Sequence, residues 1–257
     1  MIQLGLAFMA ALFTWWMSTG AIIFLCSLPA KTFRWSMFGA TLALAPALYW
    51  LVRSSQNLGM ASDYIAFVSA LAVWAWIELS FLTGFVTGPR SLPCPADAKG
   101  LRRFGLAALT LLYHETAIVF AASAIVLLTW NAPNQTGTIT FLILTAMRIS
   151  AKLNIFLGVP NLTDEFLPAR LSYLKSYFRK RDFNHLFPIS IAGSTLVAIA
   201  LAQLAITSTP QTRSGYALSF ALIALAILEH LFMIMPIPDA ALWRWALPSK
   251  SVDKFLP

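Results

Sequence analysis

Seven stretches of this chain are long and apolar enough to cross a bilayer, near Leu4 to Leu25, Trp35 to Val52, Ala61 to Val86, Phe104 to Trp130, Gly137 to Leu157, Leu186 to Ile206 and Tyr216 to Met235. Each meets the requirement of about 20 mainly apolar residues for a helical crossing. Only 11% of the residues are charged, against roughly 25% in soluble domains, so too little charge is present to coat a water-facing surface. A soluble domain is excluded, and disorder with it, since disorder needs low hydrophobicity and high charge. The expected fold is an all-α, polytopic membrane domain of about seven helices spanning residues 1–257. The first run lacks a basic flank and a small-residue cleavage site, so it reads as a span and not as a signal peptide. Cys26 and Cys94 are too few for a disulfide framework or a cysteine zinc site and read as free thiols.

The formal charge of +8 reports topology. The connections after spans one, three and five carry Lys31 and Arg34, then Arg90, Lys99, Arg102 and Arg103, then Arg170, Lys175, Arg179, Lys180 and Arg181, and the tail adds Arg244, Lys250 and Lys254. The opposite side holds only Arg53 and Arg213. Basic residues are retained on the cytoplasmic side, which predicts an N-terminus outside, periplasmic in a bacterial host, and a cytoplasmic C-terminus. The basic excess thus requires no nucleic-acid partner; the partner it implies is the lipid bilayer.

The longest connection, residues 158–184, is basic and amphipathic: Leu167, Leu171, Leu174 and Phe178 form a stripe, with Arg170, Lys175, Arg179 and Lys180 off it. Such spacing predicts a helix lying in the cytoplasmic interface, its basic groups toward anionic headgroups, with Thr163 and Asp164 as caps.

A charge at the bilayer centre costs about 2.5–3.5 kcal/mol on insertion scales, which makes every intramembrane ionisable group a candidate for function. Here they are Glu78 in span three, His114 and Glu115 in span four, Arg148 and Lys152 in span five, and Glu229 and His230 in span seven. Counting back from the span ends at about 1.5 Å per residue places them at one level, between mid-membrane and the cytoplasmic leaflet, so a single buried cluster is expected. Arg148 and Lys152, four apart, share a helix face.

Such a cluster is compatible with several chemistries. It can be an ion-pair network that fixes helix packing. Glu78, His114, Glu115, Glu229 and His230 also match in residue type the donor set of di-iron or di-manganese carboxylate bundles, although the Glu-x-x-His spacing is absent. His114 or His230 could instead ligate the metal of a tetrapyrrole, with Arg148, Lys152 and Asn154 as polar contacts. Proton or solute transfer along the cluster is a fourth use. His185, beside Asn184, reads as interfacial.

Whole phrases of the chain resemble the PuhE family, photosynthetic complex assembly proteins encoded in photosynthesis gene clusters of purple bacteria. They are Trp15-Trp16-Met17-Ser18-Thr19-Gly20, His114-Glu115, Ala151 through Asn161, Glu165 through Pro168, Tyr173 through Phe178, and Leu228-Glu229-His230 followed by Pro236 through Trp245. The resemblance implies an inner-membrane factor that assembles the reaction centre and light-harvesting complex or supplies bacteriochlorophyll to it. Its implied partners are the subunits of those complexes and pigment-synthesis proteins. It carries no catalytic residues over. The alternative is an intramembrane metal-dependent oxidase or oxygenase of the di-iron kind, acting on a tetrapyrrole or another lipid-soluble substrate, with iron or manganese on the donor set above.

Overall fold

A computed structural model describes residues 2–162, 167–235 and 239–246. Thr163, Asp164, Lys250 and Lys254 lie outside the described residues. Seven helices are long and apolar enough to span a membrane: α1 Ile2–Ser27, α2 Phe33–Ser55, α3 Met60–Leu82, α4 Gly100–Leu128, α5 Thr136–Leu157, α6 Leu186–Thr207 and α7 Pro210–Phe232. They alternate in direction, so α1, α3, α5 and α7 all finish at the end where the basic connections lie, called here the basic end.

α3 and α7 form the spine, with 61% and 56% of their most apolar windows buried. Their buried faces mix small residues into the apolar run, Ala66, Ser69 and Ala70 on α3 and Gly215, Ala217, Ser219 and Ala221 on α7. Small side chains let helices approach closely where lipid gives no hydrophobic drive to associate. One core cluster joins α1, α3, α5, α6 and α7 around Phe67, Ile143, Leu201 and Leu218. A second joins α2, α3, α4 and α5 around Leu51, Ile77, Ile118 and Phe141. α4 docks through a narrow line, Arg103, Thr110, His114, Ile118 and Ile125, whose steps of four and seven are those of a coiled-coil seam.

Several boundaries differ from the sequence expectation. α3 stops at Leu82, short of Val86, because the chain turns through Gly84 at φ +78°, a backbone that glycine adopts without steric cost. α4 starts earlier, at Gly100, and its 29 residues make a rod of about 43 Å at 1.5 Å per residue, longer than the hydrocarbon core of roughly 30 Å. Near the basic end the loop after α3 lies along this rod. The His114 amide donates to the Thr87 carbonyl (2.9 Å) and the Arg90 amide to the Leu109 carbonyl (3.3 Å). Gly88 permits this contact, since a Cβ there would collide with the backbone of Leu109 and Thr110.

The connection between α5 and α6 is closed at its base: a parallel bridge pairs Val159 with Lys180, and the Asn184 side-chain amide donates to the Gly158 carbonyl at 2.7 Å. Between them Ala169–Tyr177 winds as a 3-10 helix with Leu171, Leu174 and Tyr177 buried. The stripe foreseen for the lipid interface is turned onto the bundle, where Leu171 and Leu174 pack with Phe81, and Leu167 and Phe178 join them. α3 and α4 leave Phe81, Leu82 and Leu111 at that end, and the stripe covers them. The segment is a roof.

At the opposite end Asp63, 2% exposed, accepts the Thr136 hydroxyl at 3.0 Å and the Ser214 hydroxyl at 2.5 Å. It thereby ties the starts of α3, α5 and α7, and Asn134 adds the end of α2 through its amide bond to the Ser55 carbonyl (3.0 Å). Replacing Asp63 with Ala strands two buried hydroxyls, each worth about 1–3 kcal/mol. Thermal unfolding in detergent is expected to fall by several degrees for Asp63→Ala, and less for Ser214→Ala; an unchanged midpoint for Asp63→Ala would contradict the clamp.

Candidate functional site

At the basic end α5 supplies both cations, one turn apart. Arg148 Nη2 donates to Glu78 Oε2 on α3 at 2.9 Å, and Lys152 Nζ to Glu115 Oε1 on α4 at 2.6 Å. Glu78 is the more enclosed carboxylate, its side chain 9% exposed against 32% for Glu115. The two pairs hold three neighbouring helices in register. His114, fully buried, has its Nε2 3.8 Å from Glu78 Oε1, beyond hydrogen-bond reach, and neither ring nitrogen has a hydrogen-bond partner. Its ring lies against Phe81, centroids 4.4 Å apart.

His230 belongs to a different group. Its Nδ1 is 2.9 Å from the Ala226 carbonyl and its Nε2 3.0 Å from the Ser150 hydroxyl, an arrangement that fixes the proton on Nδ1 and leaves Nε2 accepting. Asn154 on α5 donates to the Ser150 carbonyl at 2.9 Å and to the Ser190 hydroxyl of α6 at 3.1 Å. His230, Ser150, Asn154 and Ser190 thus form a polar strap across α7, α5 and α6. Glu229 faces the other way, toward α1, accepting the Trp15 indole N–H at 2.6 Å.

The single cluster expected from depth is therefore three groupings at one level. Among the described residues no three His, Cys, Asp or Glu side chains are grouped to hold a metal ion: Glu78 and Glu115 are paired with cations, and Glu229 and His230 look toward different helices. The donor set does not fit a di-metal centre. For axial ligation of a tetrapyrrole, His230 has both nitrogens engaged, and His114 is fully buried with its ring against Phe81.

Two ionisable groups escaped the sequence reading. Asp63 stands in the first turn of α3, where a carboxylate is common and draws no notice. Arg103, placed there among the connections, is 4% exposed. Its guanidinium bonds the carbonyls of Phe156 (3.2 Å) and Tyr177 (2.5 Å) and sits 4.1 Å over the Phe156 ring. Arg103 continues the buried line of α4, which was the available signal. On the surface, Arg102 at 2.5 Å holds the Asp97 carboxyl below its usual range.

The same end holds a partly open cavity of about 290 Å³, lined mainly by apolar groups of α1, α3, α4, α5 and the roof, with Arg148 and Lys152 in its wall. Next to this end, the C-terminal 3-10 helix Asp239–Ala246 docks on α1. Trp16 Nε1 donates to the Leu242 carbonyl at 2.9 Å and Trp243 Nε1 to the Trp16 carbonyl at 3.3 Å. Trp15 packs on Trp243 and Trp16 on Trp245, with centroids 5.3 and 5.2 Å apart. Gly20 makes room, since a Cβ there would collide with the Trp245 ring.

Residues 1–254 match the family described as "Protein of unknown function (DUF3623)". The chain belongs to this DUF3623 family. A Rhodobacter capsulatus relative, described as "Uncharacterized 30.4 kDa protein in puhA 5'region", is 38% identical over 246 residues, covering 94% of this chain and 90% of the relative. No solved structure matches. For this DUF3623 chain, removing one member of a buried pair costs about 3–5 kcal/mol, whereas removing both can be near neutral. Glu78→Gln and Arg148→Met are each expected to cut the yield of folded protein, and the double variant to restore much of it. Additive losses in detergent-solubilised thermal unfolding would disprove the coupling.

Proposed function

We propose that the chain is a non-catalytic factor of the bacterial inner membrane that serves assembly of the photosynthetic complex, by scaffolding reaction-centre or light-harvesting subunits or by passing pigment to them. The observation that carries this reading is the pairing of the intramembrane charges across helices, which spends Glu78, Glu115 and their cations on architecture instead of on a metal. The setting is suggested by the relative, whose description places it beside puhA, and by the phrases shared with the PuhE family. In this reading the basic end is cytoplasmic, with the roof and the tryptophan-rich C-terminal helix as the surfaces presented to partners.

Deletion of the gene from a phototrophic host is expected to lower the near-infrared bands of assembled reaction centre and antenna while finished bacteriochlorophyll or unassembled subunits accumulate. Normal amounts of complex under every growth regime would sink the proposal. A discrete pigment intermediate would favour the metal-dependent oxygenase instead, and that outcome would need a donor set other than the one seen here. Orientation is checked separately: a green fluorescent protein fused at the C-terminus is expected to fluoresce and an alkaline phosphatase fusion there to be inactive.

A further inference from the structure

We propose that the cavity under the roof binds an amphiphile with an apolar body and a carboxylate head, the head held by Arg148 and Lys152. The volume of about 290 Å³ lies at the lower end of ligand pockets, which are typically mostly apolar with a few placed polar groups. Its apolar wall includes Phe81, Leu111, Phe156 and Leu174. What selects the head is the sign of the polar wall. Arg148 and Lys152 line the space, and Glu78 and Glu115, their ion-pair partners, do not. Each pair is therefore a dipole with its positive end toward the cavity. The other hydroxyls in the wall are already donating, Thr110 to the Ala107 carbonyl at 2.6 Å and Tyr177 to the Leu92 carbonyl at 3.2 Å.

Both cations keep N–H groups beyond the one given to a carboxylate. A carboxylate accepts and does not donate, so it matches the N–H donors that Arg148 and Lys152 bring to the wall. One turn apart on α5, the two cations can share one head. A neutral alcohol or ester loses the charge assistance, which about doubles hydrogen-bond strength.

The test uses the full chain in dodecyl maltoside with dansyl-undecanoic acid as the probe. Saturable fluorescence enhancement is expected, displaced by palmitate about tenfold more effectively than by hexadecanol or methyl palmitate. Ala107→Phe, which fills the cavity from α4, is expected to abolish binding. Glu115→Gln with Lys152→Met removes one pair without orphaning a charge and is expected to weaken carboxylate binding tenfold while leaving the alcohol unchanged. Circular dichroism confirms folding of each variant. The proposal is overturned by non-saturable binding, by equal competition from the ester, or by a folded Ala107→Phe protein that still binds. It stands apart from the assembly role: a deletion strain with normal complexes would leave the binding intact, and absent binding would leave the deletion phenotype to be explained.

Discussion

A charge in hydrocarbon has no water to answer it, and its cost of about 2.5–3.5 kcal/mol is recovered only by a partner that the fold holds in place. Two such pairs organise the basic end. Because α5 carries both cations four residues apart, meeting Glu78 and Glu115 fixes the rotation and the height of α5 against α3 and α4 together. A shift of either neighbour by one turn, about 5.4 Å, would strand two charges. Apolar packing alone could not set this register, since lipid competes for the same surfaces.

The same economy governs α4. The helix exposes most of its apolar side chains and buries a line one residue wide, yet that line contains Arg103, Thr110 and His114. Two of these side chains meet main chain, Arg103 the carbonyls that end α5 and the roof and Thr110 the Ala107 carbonyl, while at His114 it is the backbone amide that bonds the loop after α3. Irregular backbone is tolerated at membrane depth only where protein encloses it. The loop from Thr87 to Arg90 meets that condition by lying against α4.

Hydropathy was enough to find the seven helices, and the cost of burial was enough to single out Glu78, Glu115, Arg148, Lys152 and His230. Which carboxylate each cation meets was not legible, because depth counted from span ends cannot say which way a side chain points. Glu229 and His230, adjacent in sequence, diverge to α1 and α5, so a common level did not become a common site. The boundaries carried a similar error. Hydropathy carries span three on to Val86 because the residues after Gly84 remain apolar, but the turn at Gly84 depends on backbone conformation. Arg103 was counted as a connection for its charge, when its place on the line with Thr110, His114, Ile118 and Ile125 marks it as facing protein. Asp63 shows the converse, since a carboxylate near a helix start is ordinary until the starts of α5 and α7 are known to bring Thr136 and Ser214 to it.

The positive charge of the basic end also does more than orient the chain. Arg170 donates to the Thr83 carbonyl at the close of α3, Arg103 to Phe156 at the close of α5, and Arg90 to the Tyr177 hydroxyl of the roof. Helix C-termini present carbonyls without intrahelical partners, and basic side chains satisfy them and complement the dipole. Arginines that a topology count treats as interchangeable thus fasten the roof, Arg170 and Arg103 to the helices it covers and Arg90 to the loop after α3. Retention on one side of the membrane requires only their charge, which lysine would supply; the shared contacts require a planar group with several donors, which lysine lacks. The roof is for this reason part of the bundle and not a surface helix beside it, and the cavity with its two inward cations exists because the roof is held down.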